Sequence, residues 1–358
     1  MSTASSTTAT AEQQLNSSAD NRPQSNPRRP QRGTYKPKPE TVALLKVSGN
    51  PINGLGEKVQ RPASPFFWHP PDQHPYGPLQ DVARQNSRKC PGSGPAFLAA
   101  YTHPELVPIA ATRKSATAEQ FAASATAFAL AHEAGAVGIA AMDPLYVFEG
   151  YTINEPWAIV LALAPDYDRL KQLPSDETNG VGVTEIGEQY ARGTRVSFAL
   201  ANWIREQGYN ATAYPGPSAS ALLLIPPAIA SGLGELGKHG SLINRQFGAG
   251  LRLAGVTTDM PLVPTAPDRF GADDFCSSCQ VCTRACPPGA ITESKQWVRG
   301  VERWYVNFDK CIPYFAEAAS CGICIAECPW TRPDIRPKLL ATMAKRRNLE
   351  SDSPEMPT

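Results

Sequence analysis

The sequence predicts an α+β protein: a mixed core, α+β or α/β, over about 45–265, then a small cysteine-rich module over 266–332. Three observations carry this. Short apolar runs of strand length alternate with longer amphipathic stretches of helical period. Eight of the nine cysteines fall in the last quarter of the chain. No internal repeat period points to a solenoid.

Within the core, Ala116 to Glu133 reads as an Ala-rich helix with Phe121, Ala125, Phe128 and His132 on one face, His132 being packed core and not a ligand. Gly135 to Met142 and Ala158 to Ala164 are bounded apolar runs of the kind that form buried strands. A second helix is expected from about Glu185 to Glu206. A third helical stretch, Ser218 to Gly234, is expected to break or kink at Pro226-Pro227. Phe66 to Pro91, crowded with proline, histidine and aromatic residues, reads as an extended wrapping segment.

Flanking segments read differently. Residues 1–44 are rich in Ser, Thr, Asn, Gln and Pro and are expected to be a disordered arm; 333–358 form a C-terminal tail. Arg28-Arg29 resembles half of a twin-arginine export signal, but prolines rather than an apolar stretch follow it, so a basic tail is expected. Lys+Arg number 34 against Asp+Glu 33, a balance that gives no reason to expect nucleic acid as a partner. No apolar stretch approaches the roughly 20 residues of a membrane span. A soluble, cytoplasmic protein is expected.

The cysteines form two runs, each ending in Cys-Pro. Cys276, Cys279, Cys282 and Cys286-Pro287 have the C-x2-C-x2-C-x3-C-P spacing of bacterial two-cluster ferredoxins. Cys311, Cys321, Cys324 and Cys328-Pro329 repeat the ending, with nine residues between the first two cysteines. In that pattern the fourth cysteine of each run serves the other cluster. One [4Fe-4S] cluster is therefore expected on Cys276, Cys279, Cys282 and Cys328, and the other on Cys311, Cys321, Cys324 and Cys286. Structural zinc uses paired knuckles and needs no third cysteine at the same spacing. Cys90 stands alone and reads as a buried or free thiol. Clusters of this kind move single electrons, so the larger domain is expected to house an acceptor.

The stretch from Gly232 through Lys238, Asn244, Phe247 and Arg252, followed by Thr257-Thr-Asp-Met-Pro-Leu262, resembles the corrinoid-dependent reductive dehalogenases and their relatives, the epoxyqueuosine reductases. The likeness runs back to Ile204-Arg-Glu-Gln-Gly-Tyr209 and forward through both cysteine runs, over roughly 180–330. It implies a nitroreductase-like domain holding a corrinoid (cobalamin), with no protein side chain on the cobalt's lower face. Leu236, Gly237, Lys238, His239 and Asn244 are the cofactor-contacting residues it implies. Asp72-Gln-His74-Pro-Tyr-Gly77 formally matches the D-x-H-x-x-G motif of cobalt-ligating histidines, but it sits between prolines and is not read as a ligand site.

The same resemblance implies Tyr190, upstream of Gly208-Tyr209, as proton donor, since a phenol can give up a proton when its anion is stabilised. Arg252 looks like its basic partner, with Lys238 as the alternative. Epoxyqueuosine reductases carry Arg-Asp-Tyr-His after this tyrosine region; here Arg192-Gly-Thr-Arg195 stands instead, and only about 30 residues follow Cys328. Both departures favour a reductive dehalogenase that removes halide from a small organohalide. Its electrons would come from a separate donor, a ferredoxin or flavoprotein reductase. An epoxyqueuosine-reductase-like corrinoid reductase and a non-catalytic electron-transfer or corrinoid-handling protein are the alternatives.

Overall fold

The computed structural model describes residues 29–217 and 221–351. What was expected of residues 1–28, 218–220 and 352–358 lies outside them. Among the described residues there are eight strands: β1 (Ala136–Ala141), β2 (Trp157–Leu163), β3 (Ala211–Tyr214), β4 (Glu235–Leu236), β5 (Leu242–Ile243), β6 (Arg252–Thr258), β7 (Gln296–Val298) and β8 (Val301–Arg303). The α-helices are α1 (Pro39–Val42), α2 (Gly49–Ile52), α3 (Gly77–Lys89), α4 (Ser93–Tyr101), α5 (Ala118–Ala131), α6 (Tyr167–Leu170), α7 (Val181–Glu206), α8 (Ile225–Ala230), α9 (Ala272–Ser278), α10 (Val281–Ala285), α11 (Phe308–Glu317), α12 (Ile323–Ala326) and α13 (Arg336–Ser351).

A four-stranded antiparallel sheet in the order β1-β2-β6-β3 forms the centre. Side chains alternate across it. Ile159, Leu161 and Leu163 face a core shared with Phe121 and Ala125 of α5 and Val196, Leu200 and Ile204 of α7. Val160 and Ala162 face the opposite layer, with Ala228 of α8, Leu233 and Leu242. Burial on both faces is why β2 is apolar at every position.

Several local expectations are corrected. His132 is exposed: it ends α5 and stacks on Phe128 at 3.9 Å between ring centroids. The segment 66–91 is not extended throughout, because Pro78 occupies the first turn of α3, where its missing N–H costs nothing. Pro226 and Pro227 likewise open α8 and do not break a helix. The arm expected to be disordered is laid down from Arg29 onward. Arg29 pairs with Glu327 and donates to Lys171 O (2.7 Å) and Leu173 O (3.0 Å). Gly33 N donates to Pro287 O at 2.8 Å, and Tyr35 meets Tyr314 edge-on at 4.7 Å. In the C-terminal segment α13 packs Met343 against the cluster of Phe270 and Trp330.

Phe66, Tyr76, Leu79 and Ala83 pack on Ile312 and Ala316 of α11. Asp309 ties this layer together, accepting from Gly49 N (2.7 Å), Asn50 Nδ2 (2.9 Å) and the Tyr76 hydroxyl. Among the described residues no helix is long and apolar enough to cross a membrane.

Candidate functional site

Short helices present the cysteines. Cys276 lies in α9, Cys282 in α10, Cys311 in α11 and Cys324 in α12, while Cys279, Cys286, Cys321 and Cys328 occupy the turns between. Glu235 of β4 caps α9: its carboxylate accepts from Gly271 N (2.8 Å), Ala272 N (3.2 Å) and Asp273 N (3.0 Å). Negative charge there suits a helix start. All eight thiols are free of disulfides. Burial pushes Cys276 up to about 12, Cys282 up to about 11 and Cys321 up to about 12.

Charge between thiols adds to this and runs mostly within two sets, which meet where Cys282 and Cys286 pack with Cys311 and Cys324. Cys276 feels Cys282 and Cys279, and Cys328 feels Cys276, Cys282 and Cys279. Cys311 feels Cys321 and Cys286, and Cys324 feels Cys321, Cys311 and Cys286, with Cys282 as its neighbour across the divide. Among the described residues no three His, Cys, Asp or Glu side chains are grouped to hold a metal ion. Cys90 is buried beside Val183 and Ala319, outside both sets.

Lys238 is 1% exposed and belongs to the first set. Its Nζ donates to Cys279 O at 2.8 Å and stands 4.8 Å from the Trp304 ring. Asn244 has both ends of its amide engaged: Nδ2 donates to Leu233 O (2.8 Å), and Oδ1 accepts from Gln246 N and Phe247 N of its own turn. His239 accepts from Ser241 N at its Nδ1 (3.2 Å), while its Nε2 is buried without a partner. Burial holds its pKa down at about 4, so the ring is neutral and Nε2 carries the proton. A Cβ on Gly237 would lie 2.6 Å from this ring.

Leu236 and His239 line a cavity of about 970 Å³, whereas Gly237, Lys238 and Asn244 do not. Leu223, Ile225, Pro226 and Ile229 give it an apolar side; the β7–β8 hairpin and its continuation contribute Arg299, Arg303 and Trp304. These three were not singled out from the sequence. Their signal was the arginine-bearing hairpin between the cysteine runs, closed at Gly300. Among the described residues, a volume at the upper end of ordinary ligand pockets and an unspent buried N–H on His239 suit a large, partly apolar ligand with polar edges.

Tyr190 and Arg252 meet beside this cavity without lining it. Arg252 Cζ stands 5.5 Å from the Tyr190 ring centroid; Nη1 donates to Leu251 O at 2.8 Å, and Nε is buried without a partner. Tyr190 packs against the apolar cluster that contains Cys276, Cys328 and Trp304; Leu236 packs against the same cluster, and Leu236 and Trp304 also line the cavity. Gly216 makes room for the phenol ring, since a Cβ there would lie 2.8 Å from Tyr190 Cε1 and from Leu253 O. His74 packs beside Phe66 at 6.1 Å and does not line the cavity. Arg192 donates to Ala164 O (3.2 Å) and Glu133 O (2.7 Å), and Arg195 pairs with Glu133.

Residues 275–331 match the family model of the 4Fe-4S dicluster domain. Tetrachloroethene reductive dehalogenase of Sulfurospirillum multivorans is 32% identical over 187 residues, which is 49% of this chain and 36% of that one. The chain is a relative of the reductive dehalogenases. It spans about a third of the length of the curated dehalogenases it matches. Epoxyqueuosine reductase of Leadbetterella byssophila is also related, 32% identical over 117 residues, 28% of this chain and 34% of that one. A solved reductive dehalogenase, described as suggesting a mechanism for B12-dependent dehalogenation, superposes with a TM-score of 0.66 at 22% identity, covering 86% of this chain and 49% of its own. The α+β core followed by a two-cluster ferredoxin-like module is thus the architecture of a dehalogenase relative.

Proposed function

We propose that this protein is a corrinoid- and iron–sulfur-dependent reductive dehalogenase acting on a small organohalide. The observation that carries the reading is the stacking of Arg252 on Tyr190, a ring packed against the apolar cluster that contains Cys276 and Cys328. A proton donor with its cationic neighbour thus borders the packed unit that holds thiols of an electron relay. Similarity to dehalogenases over half the chain supports the same reading.

The two thiol sets hold the clusters, Cys276, Cys279, Cys282 and Cys328 in one and Cys286, Cys311, Cys321 and Cys324 in the other. As free thiols Cys276, Cys282, Cys286, Cys311, Cys321, Cys324 and Cys328 are kept protonated by burial, so cluster assembly releases protons. The corrinoid occupies the cavity against Leu236 and His239, whose Nε2–H gains its missing acceptor there. Gly237, Lys238 and Asn244 support it from behind. When bound, the corrinoid supplies the reductive cleavage of the carbon–halogen bond. Tyr190 supplies the proton that replaces halide, and Arg252 lies against the ring on which charge is then left. Electrons come from a separate ferredoxin or flavoprotein reductase.

Anaerobic reconstitution with iron, sulfide and cobalamin, followed by halide release from aryl and alkenyl halides, tests the assignment. Tyr190→Phe removes only the hydroxyl. Iron and corrinoid content should hold while turnover falls about 10²–10⁴-fold, as for a lost general acid. Parent-rate turnover in Tyr190→Phe would remove the phenol from the reaction. Arg252→Lys should cost less than Arg252→Ala if charge is the need, and as much if planar geometry is.

A further inference from the structure

The β7–β8 hairpin places two arginines, Arg299 and Arg303, on the cavity wall, and among the described residues no carboxylate pairs with Arg303. Arg303 lines the cavity, and its Nε is buried with no hydrogen-bond partner. Burial alone pulls its pKa down, with no carboxylate beside it to restore it among the described residues. Arg299 lies close by: its Nη1 donates to Asn53 O (2.6 Å), and burial with the charges of Arg303 and Arg61 pulls its pKa down to about 10 against the opposing charge of Glu57. Of the nearby carboxylates, Glu57 faces Arg299 as well as Arg61, and Asp273, Asp268 and Glu235 hold other partners. Glu57 holds Arg61 at 2.8 Å, Asp273 holds Lys295 at 2.7 Å, Asp268 holds Arg245 at 2.5 Å and Glu235 caps α9. Glu302 lines the cavity from an exposed position.

A half-buried guanidinium without a counter-charge is costly, and a planar fork of donors matches phosphate oxygens. We infer that Arg303, backed by Arg299, is the anion-binding corner of this cavity and takes a phosphate ester of the ligand that fills it. On the proposed function, on which this rests, the ester is the phosphate linking the corrin macrocycle to its nucleotide tail. A free phosphate would satisfy the same chemistry, so the test separates the two sources.

Cobinamide and cobinamide phosphate share the corrin ring and differ by the phosphate. Each is titrated into cluster-reconstituted protein, wild type and Arg303→Met, and followed by visible absorption. Wild type should hold cobinamide phosphate about tenfold to a hundredfold tighter, the worth of hydrogen bonds to a charged group. Arg303→Met should bring cobinamide phosphate to the cobinamide level and leave cobinamide itself unchanged, and Arg303→Lys should retain part of the difference. Equal binding of both ligands by wild type, or an equal loss of both in Arg303→Met, overturns the assignment. Binding of neither ligand would overturn the corrinoid reading instead. In that event stabilisation of wild type by inorganic phosphate, absent in Arg303→Met, sustains an anion site, and no stabilisation overturns it.

Discussion

Lys238 donates to the carbonyl of Cys279 at 2.8 Å from a position 1% exposed, so its ammonium is enclosed with the first thiol set. Its charge favours the thiolate of Cys282. Lys238→Met should therefore shift the potential of the cluster on that set to more negative values and leave the other cluster in place, because net charge near the sulfurs sets cluster potential. A redox titration followed by electron paramagnetic resonance measures this. An unshifted pair of potentials would assign the lysine to packing alone.

Cys286 lies in the first sequence run, but its charge bears on Cys311, Cys321 and Cys324 of the second. Cys286→Ser should deplete the cluster on the second set and spare the one on Cys276, Cys279, Cys282 and Cys328. Iron should drop from about eight per chain toward about four. Preferential loss of the first cluster would contradict crossing of the fourth ligands.

Gly216 has no room for a side chain between Tyr190 and Leu253 O. Gly216→Ala should push the phenol ring aside and cost about 1–3 kcal/mol, the usual range for overpacking. Thermal unfolding and turnover are expected to fall together while iron content is retained. Wild-type turnover in this variant would mean the ring tolerates displacement.

His239 titrates at about 4 in the fold because burial disfavours its charged form, against an ordinary value of 6.5. Between those values the unfolded chain binds a proton that the folded chain does not, so stability rises with pH there. The contribution is complete above about pH 6.5 and is lost as pH falls toward 4, on the order of 3 kcal/mol in all. Urea unfolding of wild type and His239→Gln at several pH values isolates it. The two curves should converge with falling pH if the imidazole is the cause.

The sequence showed β1, β2, α5 and α7 because each is a sustained apolar period or an unbroken apolar run. It did not show β3, whose four residues are too few to establish a period. α3 was hidden by prolines that stand before and at its first turn, where they are compatible with a helix. His132 was placed in the core because it keeps the spacing of Phe128, yet it falls at the helix end where the face turns to solvent. The cysteines were legible because cluster ligation fixes spacing along the chain. The cavity was not, because it gathers Leu223, Leu236, Arg299 and Arg303 from separate segments, each unremarkable alone.

Arg29, Gly33 and Tyr35 bind Glu327, Pro287 and Tyr314, partners some 250 to 300 positions later in the chain. This lacing gives assembly an order in time. During synthesis the early segment leaves the ribosome long before its partners exist, so the second thiol set is born without its cover. Iron and sulfide then have an interval for delivery that ends when the segment closes over the finished module. A chain whose lacing closed before delivery would have to come partly undone to be loaded, and delivery during translation would avoid that detour.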